Sequence, residues 1–137
     1  MLADRRVFIA EDEPATALDL EMAVREAHGE PVSVCSVAEG LRMLAEDSRV
    51  HGAILDVHLG DQEVTPLAHV LFDRGVAVVF HTASPIPSEI TSRHGAVRRC
   101  PKPMPSDWVI RHLAELLTSA GSRQATASEG RRGSSGR

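Results

Sequence analysis

The 137-residue chain has a single lysine, no tyrosine, one tryptophan and two cysteines, and no apolar stretch in it approaches the ~20 residues that cross a bilayer. Each scarcity excludes something. Without such a stretch, and without a charged-then-apolar leader at its start, the chain is expected to be cytoplasmic and to have no membrane partner. Cys35 and Cys100 form no metal-type pair, and in a reducing compartment both are expected to be buried thiols. Positive charge comes almost wholly from arginine: fourteen Arg stand against Lys102 alone, which lies between Pro101 and Pro103. Residues 121–137 hold four Arg and one Glu, a net +3, so the whole-chain charge of −4 leaves −7 on residues 1–120. A body that acidic argues against DNA or RNA as a ligand of the folded part.

Apolar residues make up 42% of the chain, enough for one domain to bury a core without disulfides or a metal clip. RRVFIA (5–10), PVSVCSV (31–37), HGAILDV (51–57), GVAVVFHT (75–82) and AVRRC (96–100) are rich in Val, Ile or Ala and read as strands. The first four are nearly continuous apolar runs, as parallel strands covered on both faces require. Between them lie stretches of helical length. In residues 14–28, Ala17, Leu20, Val24 and Ala27 share one helical face, Pro14 suits the first turn and Gly29 the C-cap. Residues 38–47 and 62–74 read as two more helices, and 106–119 as the last, with Ser106 as its N-cap. The alternation implies a doubly wound α/β fold over residues 1–120, a five-stranded parallel sheet with helices on both faces in the flavodoxin-like order 2-1-3-4-5. That order puts Cys35 and Cys100 at opposite edges, out of reach of a bridge. Residues 121–137, rich in Gly and Ser, read as a disordered tail.

Polar residues interrupt the apolar runs at one kind of place. Glu11 and Asp12 follow the first strand, Asp56 closes the third, Thr82 closes the fourth and Lys102 follows the fifth. Ligands in open α/β sheets bind beyond the carboxyl ends of the strands, so these five side chains are expected to meet in one cleft. Three carboxylates there would repel one another, and a hard divalent cation relieves the conflict; an all-oxygen set suits Mg²⁺. Asp56, in mid-cleft, is a candidate nucleophile able to form an aspartyl-phosphate. Lys102 offers a compact ammonium for a phosphoryl oxygen, and Thr82 a hydroxyl.

In FIAEDEP, ILDVHLGD, FHTAS and CPKP, taken in that order at strand ends, the chain resembles the receiver domain of bacterial two-component response regulators over residues 5–120. The resemblance implies that Asp56 is the phosphoacceptor, served by a histidine kinase or a phosphotransfer protein. It implies that Asp12, Asp56 and the backbone carbonyl of His58 hold Mg²⁺ directly, with Glu11 acting through water. Thr82, Ala83 and Lys102 would contact the phosphoryl group, and the Lys102–Pro103 bond would be cis. Three departures are visible. Arg99 stands where the family often has Tyr or Phe, so an inward-swinging aromatic ring cannot operate. Pro85 and Pro87 fall where the fourth helix should begin, which predicts a short or late helix. No output domain follows within the sequence, so the protein is expected to act alone, by protein–protein contact or as a phosphate sink.

Two other readings use the same residues. An aspartate-nucleophile phosphatase of the haloacid-dehalogenase type would need a second Asp where His58 stands, and an adaptor working without phosphorylation would not need the intact acidic set. The expected protein is therefore a signalling domain and not an enzyme, beyond self-catalysed phosphotransfer and dephosphorylation. It is expected to be a monomer or weak homodimer that meets its downstream partner through helix 4, strand 5 and helix 5, near Trp108. The seven histidines form no HxxxH pair and are expected to be ordinary surface or partly buried residues. Deleting residues 121–137 is expected to leave the thermal midpoint nearly unchanged, and a large drop would show that the segment packs on the domain.

Overall fold

The computed structural model describes residues 1–47 and 49–119, so the proposed tail lies outside the described residues. Five strands, β1 (Arg6–Ala10), β2 (Glu30–Val34), β3 (Gly52–Leu55), β4 (Ala77–Thr82) and β5 (Arg98–Pro101), alternate with α1 (Pro14–Glu26), α2 (Val37–Glu46), α3 (Thr65–Asp73), α4 (Ser88–His94) and a helix over residues 106–119, α5. All pairings within this five-stranded sheet are parallel and the order is β2-β1-β3-β4-β5. This is the flavodoxin-like arrangement that the alternation of strands and helices predicts.

Alternation along each strand divides the core into two layers. Phe8, Ala10, Ala53, Leu55, Val78 and Phe80 face one side and pack with Val37 and Leu44 of α2, Leu67 and Leu71 of α3 and Ile90 of α4. Val7, Ile9, Ile54, Val79 and Cys100 face the other, against Leu20 and Val24 of α1 and Val109, Ile110 and Leu113 of α5. The central strands β1 and β3 are fully covered, and for that reason their sequences are apolar at every position after Arg6.

Local chemistry explains where the elements depart from expectation. The strand read over 31–37 stops at Val34, because Ser36 caps α2 by accepting a hydrogen bond from the Glu39 N–H. The helix read from residue 62 starts at Thr65 instead. Gln62–Glu63 pairs with His58–Leu59 in a two-residue antiparallel ribbon turned at Gly60, whose φ is +64°. At the end of α1 the left-handed residue is His28 (φ +71°), not Gly29. Gly29 is needed for closeness: a Cβ there would sit 3.0 Å from both Leu2 and Val24. Ser106 lies in the first turn of α5 and is not its cap, since the Pro105 carbonyl already accepts from the Trp108 and Val109 N–H groups. Cys100 is buried, whereas Cys35 is exposed, contrary to the expectation of two buried thiols; both are free. As the prolines predict, α4 begins only after Pro87 and spans seven residues.

Gly95, which ends α4, has φ +83° and ψ −159° with open space where a Cβ would project. That backbone region is open in practice to glycine alone. Gly95→Ala is therefore expected to lower stability by ~1–3 kcal/mol through backbone strain alone. Urea unfolding measures it, and an unchanged midpoint would show that the α4–β5 turn relaxes freely.

Candidate functional site

The backbone ladder runs one residue past three strand ends and fixes the groups that matter. Glu11 donates its N–H to the Val34 carbonyl (3.1 Å), Asp56 to Ala10 (2.9 Å) and Lys102 to Thr82 (3.1 Å). Each polar side chain thus leaves the sheet from a position held by its neighbouring strand, at the carboxyl edge where β1 lies between β2 and β3.

Lys102 organises the cleft. Its Nζ donates to Glu11 Oε1 (2.7 Å) and to Asp56 Oδ2 (2.8 Å). The Lys102–Pro103 peptide bond is cis. Glu11 is almost wholly buried, its side chain 1% exposed, and its second oxygen accepts from the Glu13 N–H at 3.1 Å. Asp12 lies at the open rim, where Oδ2 accepts from the Gly60 N–H at 2.7 Å. This bond ties the acidic pair to the ribbon after β3.

Ligand oxygens of Glu11, Asp12 and Asp56 all lie within 4.8 Å of one another. Three carboxylates and one ammonium leave a formal surplus of two negative charges, an all-oxygen donor set of the kind that suits a hard divalent ion. Burial pushes the Glu11 carboxyl above its usual range, against the pull of the Lys102 hydrogen bond and charge. Burial would by itself lower Lys102, but hydrogen bonds to Asp56 and Glu11, together with their charges, carry it above its usual value.

The sequence-predicted residues are therefore largely in one place. Glu11, Asp12, Asp56 and Lys102 form a contiguous cluster. Thr82 borders it, buried, with its hydroxyl accepting from the Ser84 N–H at 3.0 Å; Ala83 beyond it is exposed. His58 opens the ribbon two residues after Asp56. Arg99 is exposed but not idle: Nε donates to the Ser84 carbonyl (3.0 Å) and Nη2 to that of Thr82 (3.2 Å).

Sequence reading missed the Gly60 N–H, although a glycine closing a short loop beside an acid was a signal for it. It also placed His81 among ordinary histidines. His81 does face the opposite side of the sheet from Thr82, but it is buried and neither ring nitrogen has a partner among the described residues. Burial, and then the charge of Lys102, lowers its pKa. A concavity of about 660 Å³ lies at the other end of the sheet around Arg5, Arg6, His28 and His51. Its Arg6 is already bound to Glu30 and Asp47, and no carboxylate trio is there to do chemistry.

No family model matches the sequence, and no curated protein matches it. Solved structures do. SdrG from Sphingomonas melonis Fr1 is 34% identical, with 85% of this chain and 99% of that chain covered and a TM-score of 0.69. A CheY-like response regulator receiver domain protein from Methanospirillum hungatei JF-1 is 20% identical, covering 87% of this chain and 98% of that one, at a TM-score of 0.76. A response regulator receiver protein from Sinorhizobium medicae WSM419 is 20% identical, with 88% and 99% covered and a TM-score of 0.73.

Loss of the ammonium exposes the carboxylate conflict, and its pH dependence follows from Glu11. Because folding raises the Glu11 pKa, the folded state takes up that proton more readily than the unfolded state, and acid favours folding through this group. Lys102→Met, in EDTA, is expected to lose ~1–3 kcal/mol at pH 8 from an unpaired buried charge. The deficit should shrink as pH falls towards 5 and Glu11 protonates. Urea unfolding across that range measures it, and a deficit independent of pH would mean that Glu11 does not carry the strain.

Proposed function

The chain belongs to the receiver domains of two-component response regulators, and from that premise we propose that Asp56 accepts a phosphoryl group from a phosphohistidine of a histidine kinase or phosphotransfer protein. The observation that carries the proposal is the Lys102 ammonium, held 2.8 Å from Asp56 and 2.7 Å from Glu11 across 46 and 91 positions of sequence. Lys102 occupies Oδ2, which leaves Oδ1 of Asp56 to attack phosphorus. The new bond is Oδ1–P, the bond broken is P–N, and the departing imidazole nitrogen keeps its electron pair and takes a proton. Lys102 then stands where it can pair with a phosphoryl oxygen, and Thr82, whose hydroxyl accepts from the Ser84 N–H, still has its own O–H to offer. The Ala83 position, small and exposed, leaves the approach open.

Asp12, Asp56 and the His58 carbonyl would hold Mg²⁺, with Glu11 acting through water; the surplus of two negative charges and the oxygen-only donors support that assignment. When bound, the ion supplies charge neutralisation for the phosphoryl oxygens and holds them in line. The chain's own residues set the geometry: Gly60 fixes Asp12, the β3 ladder fixes Asp56, and Lys102 neutralises Glu11.

The downstream contact is proposed on α4, β5 and α5, where Trp108 is 54% exposed and Arg99 lines the edge strand. An exposed indole of that size is a common anchor of protein interfaces. The proposed output is protein–protein contact or drainage of phosphate from a kinase, by a stand-alone regulator in the cytoplasm. No described helix is long and apolar enough to cross a membrane.

Intact-mass spectrometry after incubation with a small phosphodonor tests the acceptor. Wild type is expected to gain one phosphoryl group only with Mg²⁺, and Asp56→Asn none. Labelling that persists in Asp56→Asn would move the acceptor elsewhere. No labelling of wild type by either a small donor or a phosphohistidine protein would turn the reading toward an adaptor.

A further inference from the structure

A histidine pair lies away from the cleft, between α3 and α4. His69 Nδ1 and His94 Nε2 are 2.7 Å apart, and the other nitrogen of His69, Nε2, is 3.2 Å from Glu89 Oε1. With both rings neutral, these contacts fix the tautomers. A carboxylate only accepts, so His69 carries its proton on Nε2 and turns a lone pair on Nδ1 towards His94. His94 then donates from Nε2. Its ring is fixed by stacking on Phe72, with centroids 4.6 Å apart and planes 20° apart. The His69 side chain is 16% exposed, so water reaches the pair.

We propose that His69 Nδ1 and His94 Nε2 form a two-nitrogen site for a divalent transition ion of the Zn²⁺, Ni²⁺ or Cu²⁺ class, with Glu89 orienting His69 and water completing the coordination. Imidazole nitrogens suit these metals, and a carboxylate on the distal N–H of a ligating histidine is the usual supporting contact. An ion held at 2.0–2.1 Å from each nitrogen needs them about 3.3 Å apart, a small opening of the present contact. Binding moves the His94 proton from Nε2 to Nδ1 and releases none from neutral histidines. The charged groups that act on the pair, Glu89, Arg93 and Asp73, come from the two helices it joins. Burial first, then His69 and Arg93, lower the His94 pKa, while Asp73 opposes them. Asp73 and Arg93 are themselves paired at 2.6 Å, a second link between the two helices. The site does not depend on the phosphoryl reading of the cleft, and it would link α3 to the short α4.

Isothermal titration of the full chain with ZnCl₂ at pH 7.5, in saturating Mg²⁺, tests the site. One ion per chain is expected. Affinity should fall at least ~10-fold in His69→Ala and in His94→Gln, and towards that value in Glu89→Gln. It should be unchanged in Asp56→Asn and Cys35→Ser, and weaker at pH 5.5 where protons compete. Copper EPR of wild type should show two nitrogen ligands, reduced to one or none in His94→Gln; circular dichroism confirms that each variant is folded. No binding up to millimolar zinc overturns the proposal. So does one-to-one binding that survives in His94→Gln or disappears in Asp56→Asn or Cys35→Ser.

Discussion

One ammonium group allows the cleft to exist. Glu11, Asp12 and Asp56 bring three carboxylates within 4.8 Å, and Glu11 is buried where a lone carboxylate would be strongly disfavoured. Lys102 offsets this by bonding two of the three while its own side chain stays 23% exposed. An arginine would serve less well here. Its planar fork tends to take one carboxylate bidentately, whereas the three donors of an ammonium radiate from one point and can satisfy two acids on different strands. In a chain that uses arginine everywhere else, the exception stands where a point charge is required.

The ammonium can reach both acids because of the sheet order. Glu11 and Asp56 end adjacent parallel strands, and Lys102 follows the edge strand β5, two places from β3. The long lysine stem spans that gap, and Pro101 and Pro103 confine the backbone that presents it. The same ladder gives Glu11, Asp56 and Lys102 each a backbone bond to the neighbouring strand, so these side chains are arranged by the most protected part of the fold. The ribbon after β3 adds the one contact that strands cannot supply, the Gly60 N–H on Asp12. The two carboxylates left partly open then carry a surplus charge that the protein itself does not neutralise.

Much of this was legible in the sequence because it rests on burial. The apolar runs of β1 and β3 are covered on both faces, so their ends, and the acids at those ends, were marked. What escaped were features set by single backbone contacts. The ribbon at 58–63 has no periodicity to read, and it displaced the start of α3 from residue 62 to Thr65. The left-handed turn after α1 fell on His28, while Gly29 sits closely packed against Leu2 and Val24. His69 and His94 lie 25 positions apart on different helices, and only the docking of α3 on α4 makes them a pair. In each case the deciding partner lies outside the window in which sequence patterns operate.

Arg99 shows how a departure at one position is absorbed by the surrounding geometry. The Thr82 carbonyl accepts from the Arg99 guanidinium and from the Lys102 N–H, and the Thr82 hydroxyl accepts from the Ser84 N–H. Arg99 also holds the Ser84 carbonyl, so the start of the loop after β4 is gripped at two points of its backbone. A tyrosine or phenylalanine at this position could bury a ring but could donate to neither carbonyl as a fork does. The guanidinium is thus committed to the loop itself and is not a free surface charge. It acts on the same carbonyl that anchors Lys102. The Thr82 hydroxyl accepts from Ser84 and keeps its own proton to donate, on a residue whose carbonyl is pinned from two sides. The cleft and the β5 edge thus meet at one backbone group, the Thr82 carbonyl that Lys102 and Arg99 share.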